Sequence, residues 1–565
     1  MQPDNAATSR WISAALVGAT SFGLLGLALI PGSSWVEFFA HPSRTPVPDV
    51  TRQGANLWRV MLIASAVMTP IVLLALRRMS GSRSCVPAVE SRPPVRRERW
   101  VLPGLIALGF VLRAARLGEG LWYDEVAMWG TYVQHGPGVV VGNYFDPSNH
   151  VAYGVLLWAS LAVFGDSLPL EWAFRLPALL FSLATIPAMW ALVREIARPR
   201  AAMLAAGLAA VLPVIVLEGV EARGYGMMIF FSAASTWALL RAARVGVSGW
   251  WLFYALLAAM GVWSHVVTAF VPLGHAAWLV MRRLGGSSWC VTLQGGAAIA
   301  LAGLWAITLH APLLPDFLRL MTDQSAFARS TEDQPSLFGP EGLHALLQLG
   351  GAWAWWAALP GLVLLGLGMI AAAGDRSARS LAASAGLGLP LMILVVLVGG
   401  SWVYARFMLF AMPSAMVLIA LGLDFLARRR ASALGLGVVI VLGVSIADLA
   451  TRPPKQPMRE AVNHVAARHR PGDRVLALDL FHEPIRVYLL NLPRDAPTQV
   501  TTHGRDDFNI MLRSTSPDWV IVTYPHLLTP ERTELLRSLG YGMDLSLPGW
   551  ADWGRGEVRV YRLDR

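Results

Sequence analysis

VAYGVLLWASLAVF, residues 151 to 164, is apolar throughout yet only 14 residues long. A helix rises 1.5 Å per residue and a hydrocarbon core is about 30 Å thick, so a spanning helix needs ~20 apolar residues and this run falls short. Its reading decides the fold, because one extra crossing here would move every later connection to the other side of a membrane. The rest of the chain sets the class. Of 565 residues, 55% are hydrophobic and only 15% charged. Apolar blocks lie near 11 to 31, 57 to 76, 100 to 117, 174 to 193, 201 to 217, 226 to 241, 249 to 264, 266 to 281, 290 to 310, 346 to 373, 381 to 400, 407 to 427 and 432 to 449. These thirteen blocks predict a polytopic α-helical membrane protein with about thirteen transmembrane helices. The first, from Trp11 to Ile30, follows Arg10 but has no small-x-small cleavage site after it, so it is expected as an uncleaved span.

Charge orients the spans. The net charge of +10 is carried almost wholly by arginine. It concentrates in RRMSGSR with PPVRRERW, in REIARPR, RAAR, MRR, DRSAR and ARRR, all short connections between apolar blocks. The positive-inside rule places these in the cytoplasm, and this use of the charge argues against a nucleic-acid partner. With thirteen spans the opposite connections fall outside: 32 to 56, 118 to 173, EGVEARGYG, the turn at Ser264 and His265, 311 to 345, GGSWVYAR and everything after 450. That bookkeeping holds only if 151 to 164 does not cross, so 118 to 173 is expected to form one large outer loop. Cys85 and Cys290 are too few for a disulfide framework, and both fall on the cytoplasmic side, where thiols stay reduced.

After Ala450 the composition changes. MREAVNHVAARH and TPERTELLRSLGY have helical spacing, whereas VLALDL, DWVIVTY and EVRVYRL read as strands. The chain is therefore expected to divide into a two-helix hairpin at 1 to 80, a basic cytoplasmic linker at 81 to 99, a membrane module at 100 to 450 and a small extracytoplasmic α/β domain at 451 to 565. Pro453, Pro454 and Pro457 mark the last boundary, since proline cannot continue a helix interior.

The outer span ends hold an unusual set of polar residues: Asp124, Glu125, Asp146, Asn149, His150, Arg175, Glu218, Glu221, Arg223, Tyr225, His265, Tyr404 and Arg406. Ionisable groups near membrane depth are costly unless they pair or line a wet cavity. Asp124 and Glu125 stand in GLWYDEVAMWG among Leu121, Trp122, Tyr123, Val126, Met128 and Trp129, where a free carboxylate gains little from water. Adjacent carboxylates point different ways, so one can take a proton while the other holds a partner or a metal. Arg223 in EARGYG and Arg406 in WVYARF read either as structural ion pairs or as phosphate ligands, since guanidinium presents a planar fork that fits phosphate oxygens. Isolated histidines such as His150 and His265 are more often hydrogen-bonding residues than catalysts. No HExxH and no His/Cys cluster supports a catalytic zinc, and there is no Walker A loop or GxSxG elbow. Trp353, Trp355 and Trp356 read as an interfacial anchor.

Taken together, LWYDE at 121 to 125, the stretch from Asn149 through His150 to Arg175-Leu176-Pro177, EARGYGMMIFF at 221 and YARFMLFAMPSAMVLIALGL at 404 resemble the GT-C polytopic glycosyltransferases. The likeness is to bacterial relatives of dolichyl-phosphate-mannose protein mannosyltransferases and of the lipid A aminoarabinose transferase. It covers roughly 100 to 430. It implies a polyprenyl-phosphate-linked sugar as donor and an envelope glycan, glycolipid or protein hydroxyl as acceptor, in the bacterial inner membrane with the site on its outer face. Asp124 is then the general base, with Glu125 orienting or pairing. Arg223, Arg406 and Arg175 would hold the donor phosphate. His150, Asn149, Glu221, Tyr225, His265 and Tyr404 would position substrate. Any divalent metal would fall to Asp124 and Glu125, and the residues leave its use open. Val151 stands where relatives commonly have the first proline after the histidine, which weakens the role given to His150, and the hairpin before residue 100 is an addition. Two other readings of the same charges are a lipid-linked sugar transporter or flippase and a non-catalytic GT-C scaffold. A transporter would favour inverted repeats or glycine-broken helices in matching halves, and neither is found.

Overall fold

The computed structural model describes residues 3–80, 98–322, 359–399, 405–479, 487–489, 492, 498–502, 507–551 and 556–564. Every apolar block falls on helix, that at 346 to 373 for its described part, Leu359–Gly374. Among the described residues, eight helices are long and apolar enough to span a membrane, or nine if Ala15–Leu29 and Gly32–Phe39, bent by 89° from each other, count as one. The thirteen blocks thus do not give thirteen uninterrupted spans, and the reason is local chemistry. Pro213 has no N–H to donate and splits one block into Pro199–Val211 and Pro213–Leu217. A 3₁₀ turn at Val266–Ala269 precedes Phe270–Leu284, and Arg376–Gly386 gives way to Gly388–Gly399.

The break at Pro213 also explains a charge that sequence reading passed over. Arg113, inside the Glu98–Leu117 helix, is fully buried. Its guanidinium donates to the Ala209 and Ala210 carbonyls at 2.9 and 3.1 Å, to Gly109 O at 3.0 Å and to Ser182 Oγ at 2.7 Å. Carbonyls freed by a proline break need donors at membrane depth, and Arg113 supplies them.

Contacts at the helix ends place the 151 to 164 run. Arg175, in the first turns of Leu170–Arg194, donates to Leu117 O at 3.0 Å and Glu119 O at 2.6 Å. The chain therefore leaves the bundle at 117 and re-enters it near 170 at one and the same end. Val151–Phe164 is a 14-residue helix within that excursion and does not carry the chain to the other end. At the far end, Cys290 Sγ lies 3.7 Å from Met79 O, so the last turn of Asp49–Ser80 meets the start of Trp289–His310. Cys85 and Trp353, Trp355 and Trp356 lie outside the described residues.

Beyond Ala431–Thr451, helix Met458–Arg468 is followed by a five-stranded sheet of order β2-β1-β3-β5-β4, with β1 Val475–Asp479, β2 Thr498–Thr502, β3 Trp519–Val522, β4 Tyr541–Leu547 and β5 Val558–Leu563. β1 pairs in parallel with β2 and β3, and β5 is antiparallel to β3 and β4. This unit docks on the site end of the bundle. Met458, Ala461, Val462 and Val465 join the same continuous core as the membrane helices. Arg459 bonds Glu171 at 2.8 Å, and the Tyr123 N–H donates to Gln456 Oε1 at 3.0 Å.

Candidate active site

The short helix Tyr123–Thr131 presents its first turn to this end of the bundle, and its two carboxylates diverge. Glu125, fully buried, reaches back to accept from the Trp122 N–H at 3.1 Å, which caps its own helix. Its Oε1 accepts from Arg175 Nε at 2.8 Å and the Ala222 N–H at 2.7 Å, and its Oε2 from Arg175 Nη2 at 2.6 Å. Arg175 spends its remaining donors on Leu117, Glu119 and Gly120 carbonyls. All five guanidinium N–H groups are thereby used. One expectation changes, since Arg175 has no donor left for a donor phosphate; Glu125 pairs with it and has no oxygen left for substrate. The pair is a buried brace that ties the 117–125 turn, the Leu170–Arg194 helix and the 222 turn together.

Asp124 points the other way, into a pair of arginines. Its Oδ2 lies 3.0 Å from Arg406 Nη2 and 3.7 Å from Arg223 Nη2. These approaches bring charges together without an aligned hydrogen bond to that oxygen. Arg223 uses Nη1 on the backbone, donating to Asp124 O at 3.2 Å and Ser148 O at 2.7 Å. Its buried Nε has no hydrogen-bond partner. The edge formed by Nε and Nη2 therefore keeps donor capacity, and that edge is the fork that fits two oxygens of a phosphate. Arg406 also lies over the Trp122 ring, 5.5 Å from its centroid.

Beside the arginines, the His150 and His265 rings lie 4.7 Å apart, with Tyr225 5.2 Å from His150 and Phe407 5.0 Å from His265. His150 Nδ1 accepts from the Gly224 N–H at 2.9 Å, which leaves its proton on Nε2. A side chain at Gly224 would press its Cβ to 2.9 Å from that same nitrogen, so the position requires glycine. Burial, reinforced by Arg223, His265 and Arg406, holds His150 well below its usual range, and burial with the two arginines lowers His265 to about 3. Both rings are neutral at physiological pH. The Tyr225 hydroxyl is buried without a partner. Asn149 stands apart from this group: its amide donates to Val140 O and Asn143 O at 2.8 and 2.9 Å and fixes the loop before His150. Tyr404 lies outside the described residues.

Sequence reading missed Lys455, yet a signal was there: it is the only lysine in the chain, which uses arginine at every other cationic position. Its ammonium sits 3.1 Å from Glu218 and 2.5 Å from Glu221, between the Trp122 and Trp550 rings at 4.6 and 4.7 Å. A compact ammonium fits between two carboxylates and two indole faces where a planar guanidinium would not. Burial, together with Glu218 alongside, pushes the Glu221 carboxyl well above its usual range. Glu218 is also buried, but the Lys455 charge and bonds from Glu221 and Lys455 hold it below that range. The trio is near neutral, with one proton shared by the Glu218 and Glu221 pair. Lys455→Met should cost about 2 kcal/mol at neutral pH, because it strands buried carboxylate. The sign follows from linkage. Without the ammonium both folded-state pKa values lie above the unfolded value, so the deficit vanishes below the unfolded carboxyl pKa and grows as pH rises toward the folded ones. Thermal melts at pH 5 and pH 8 read this out. A deficit that does not change with pH would mean that Lys455 acts only by packing on the indoles.

The carboxylates do not fit a divalent cation. Glu125 is saturated by donors and Asp124 faces two guanidinium groups. Among the described residues no three His, Cys, Asp or Glu side chains form a group able to hold a metal.

A family model described as dolichyl-phosphate-mannose-protein mannosyltransferase matches residues 151–313. No curated protein sequence matches. Among solved structures, ArnT from Cupriavidus metallidurans bound to undecaprenyl phosphate is similar with a TM-score of 0.51 and 14% identity, covering 82% of this chain and 97% of that one. The Archaeoglobus fulgidus oligosaccharyltransferase in the apo form gives 0.49 and 12%, covering 78% and 72%. Residues 151–313 of this integral membrane protein thus match the mannosyltransferase family model, and the chain as a whole shares its fold with ArnT.

Proposed function

We propose that the protein moves a sugar from a polyprenyl-phosphate donor to a hydroxyl of an extracytoplasmic acceptor, whether envelope glycan, glycolipid or protein. The observation that carries this reading is Asp124 set between Arg223 and Arg406, with the Nε of Arg223 unpartnered. A lipid phosphate entering at this end meets the open edge of Arg223 and competes with Asp124 for Arg406. Phosphate thereby draws the guanidinium groups away and leaves Asp124 as an uncommitted base. The acceptor oxygen then attacks the anomeric carbon and the bond from that carbon to the phosphate oxygen breaks. The acceptor proton passes to Asp124, while the arginines balance the charge on the departing lipid phosphate. The neutral His150 and His265 and the Tyr225 hydroxyl lie beside this path and would orient the sugar. The undecaprenyl phosphate bound to ArnT supports a lipid phosphate of this kind as the anion. With the basic connections in the cytoplasm of a bacterial inner membrane, the site and the unit after 451, at the opposite end of the bundle, lie on the outer face.

The test is transfer by protein in sealed right-side-out vesicles. A synthetic polyprenyl-phosphate sugar is added to the membrane and an impermeant mixture of envelope acceptors to the medium. Glycosylated acceptor in the medium, with free polyprenyl phosphate in the membrane, is the expected result. Intact donor moved across the bilayer without cleavage would make the protein a transporter. Transfer seen only in inverted vesicles would reverse the topology.

A further inference from the structure

The arginine-rich connections that orient the chain do more than mark a side. At the end of the bundle opposite Asp124 they converge on one cavity of about 970 Å³. The helices that build the site reach this cavity with their other ends. From Tyr225 at the site, the Tyr225–Val245 helix runs to Arg244 on the cavity wall, about 29 Å at 1.5 Å per residue. Leu170–Arg194 likewise runs from Arg175 to Arg194.

Seven arginines and three carboxylates line the cavity. The carboxylates are already committed. Glu195 pairs with Arg241 and Arg244 at 3.4 and 3.3 Å. Asp424 pairs with Arg200 and Arg428 at 2.8 and 2.7 Å. Asp375 caps its own helix, accepting from the Ser377 and Ala378 N–H groups. Arg198, Arg376 and Arg379 line the cavity with no carboxylate in salt-bridge range among the described residues. Arg282 lies 4.9 Å over the Trp278 ring on the same wall. Membrane orientation requires only that basic residues lie in these loops. It does not require four of them, with no salt bridge among the described residues, to line one cavity.

We infer that this cavity is a binding site for a phosphate-bearing anion, separate from the Asp124 site. Guanidinium forks from several chain segments match the oxygens of a phosphate monoester, diester or pyrophosphate. The volume lies at the upper end of the range for small-molecule sites. Leu240, Ala243, Met281 and Leu421 add apolar lining, as expected where a headgroup enters between helix ends on the cytoplasmic side. The inference does not depend on the glycosyltransferase reading.

The experiment compares the intact protein with two triple variants that change charge equally at this end. Arg198→Gln with Arg376→Gln and Arg379→Gln alters the cavity. Arg283→Gln with Arg429→Gln and Arg430→Gln alters arginines outside it. Native mass spectrometry reads phosphatidylglycerol retained over phosphatidylcholine after release from nanodiscs of equal composition, and thermal shift in detergent reads inorganic pyrophosphate. The cavity triple should lose about a hundredfold in anion affinity, at ~1 kcal/mol per arginine near the surface, while the outside triple stays near wild type. Loss in the lipid arm assigns a headgroup, and loss only in the pyrophosphate arm assigns a soluble anion. Equal losses in both triples, or no anion binding by the wild type, would overturn the site.

Discussion

Asp124→Asn should reduce sugar transfer by ~10² to 10⁴ while donor binding survives, because general-base catalysis is worth about that much and asparagine cannot take the proton. The geometry sharpens the expectation for binding. In the free protein Asp124 holds Arg406 at 3.0 Å and sits 3.7 Å from Arg223. A phosphate must compete with that carboxylate for the same donors. Neutralising it removes the competitor, so the donor should bind the variant at least as tightly as the wild type. A variant that loses turnover and donor affinity together would point to a collapsed arginine pair rather than a missing base. Turnover near wild type would remove Asp124 from the role. Suspicion would then pass to Glu218 and Glu221 beside Lys455, not to Glu125, whose oxygens are all engaged.

How much of this was readable before the structure follows from where each partner lies in the chain. Divergence of Asp124 and Glu125 is local: consecutive helical residues are about 100° apart, so neighbours face different ways. Which of them faced the cavity was not local. Glu125 is committed by Arg175, 50 residues on, and by the Ala222 N–H, 97 residues on. No periodicity in either segment reports that meeting. The excursion from 118 to 173 was legible because charge parity constrains it, and Arg175 closes it by bonding the 117–120 turn. In the last unit, β1, β3 and β5 announced themselves through apolar or alternating runs. β2, TQVTT, and β4, YGMDLSL, are the two sheet edges, and an edge strand lacks a neighbour on one side and carries a weaker pattern. Lys455 was visible as a count, not a motif. Its meaning required the Glu218 and Glu221 turn, more than two hundred residues earlier, to be brought beside it.

Arg175→Met should destabilise the protein by roughly 3–5 kcal/mol, the cost of leaving a buried charge without its partner. Glu125 is fully buried and loses both of its charged donors at once, keeping only the Trp122 and Ala222 N–H groups. The Leu117, Glu119 and Gly120 carbonyls lose theirs too, so the turn that presents Asp124 loosens with the brace. The cycle with Glu125→Gln separates brace from ligand. Glutamine still accepts through its carbonyl oxygen and carries no charge, so the double variant should be more stable than Arg175→Met alone, a coupling that only a direct pair produces. Thermal melts in detergent measure the wild type, both single variants and the double variant, and donor affinity is measured on each. If Arg175→Met melts like the wild type but binds a polyprenyl-phosphate donor poorly, Arg175 is a phosphate ligand after all and the brace is not what holds this turn. If stability falls and rises again in the double variant, the glutamate of the DE pair serves the fold, and only its neighbour is left to meet the substrate.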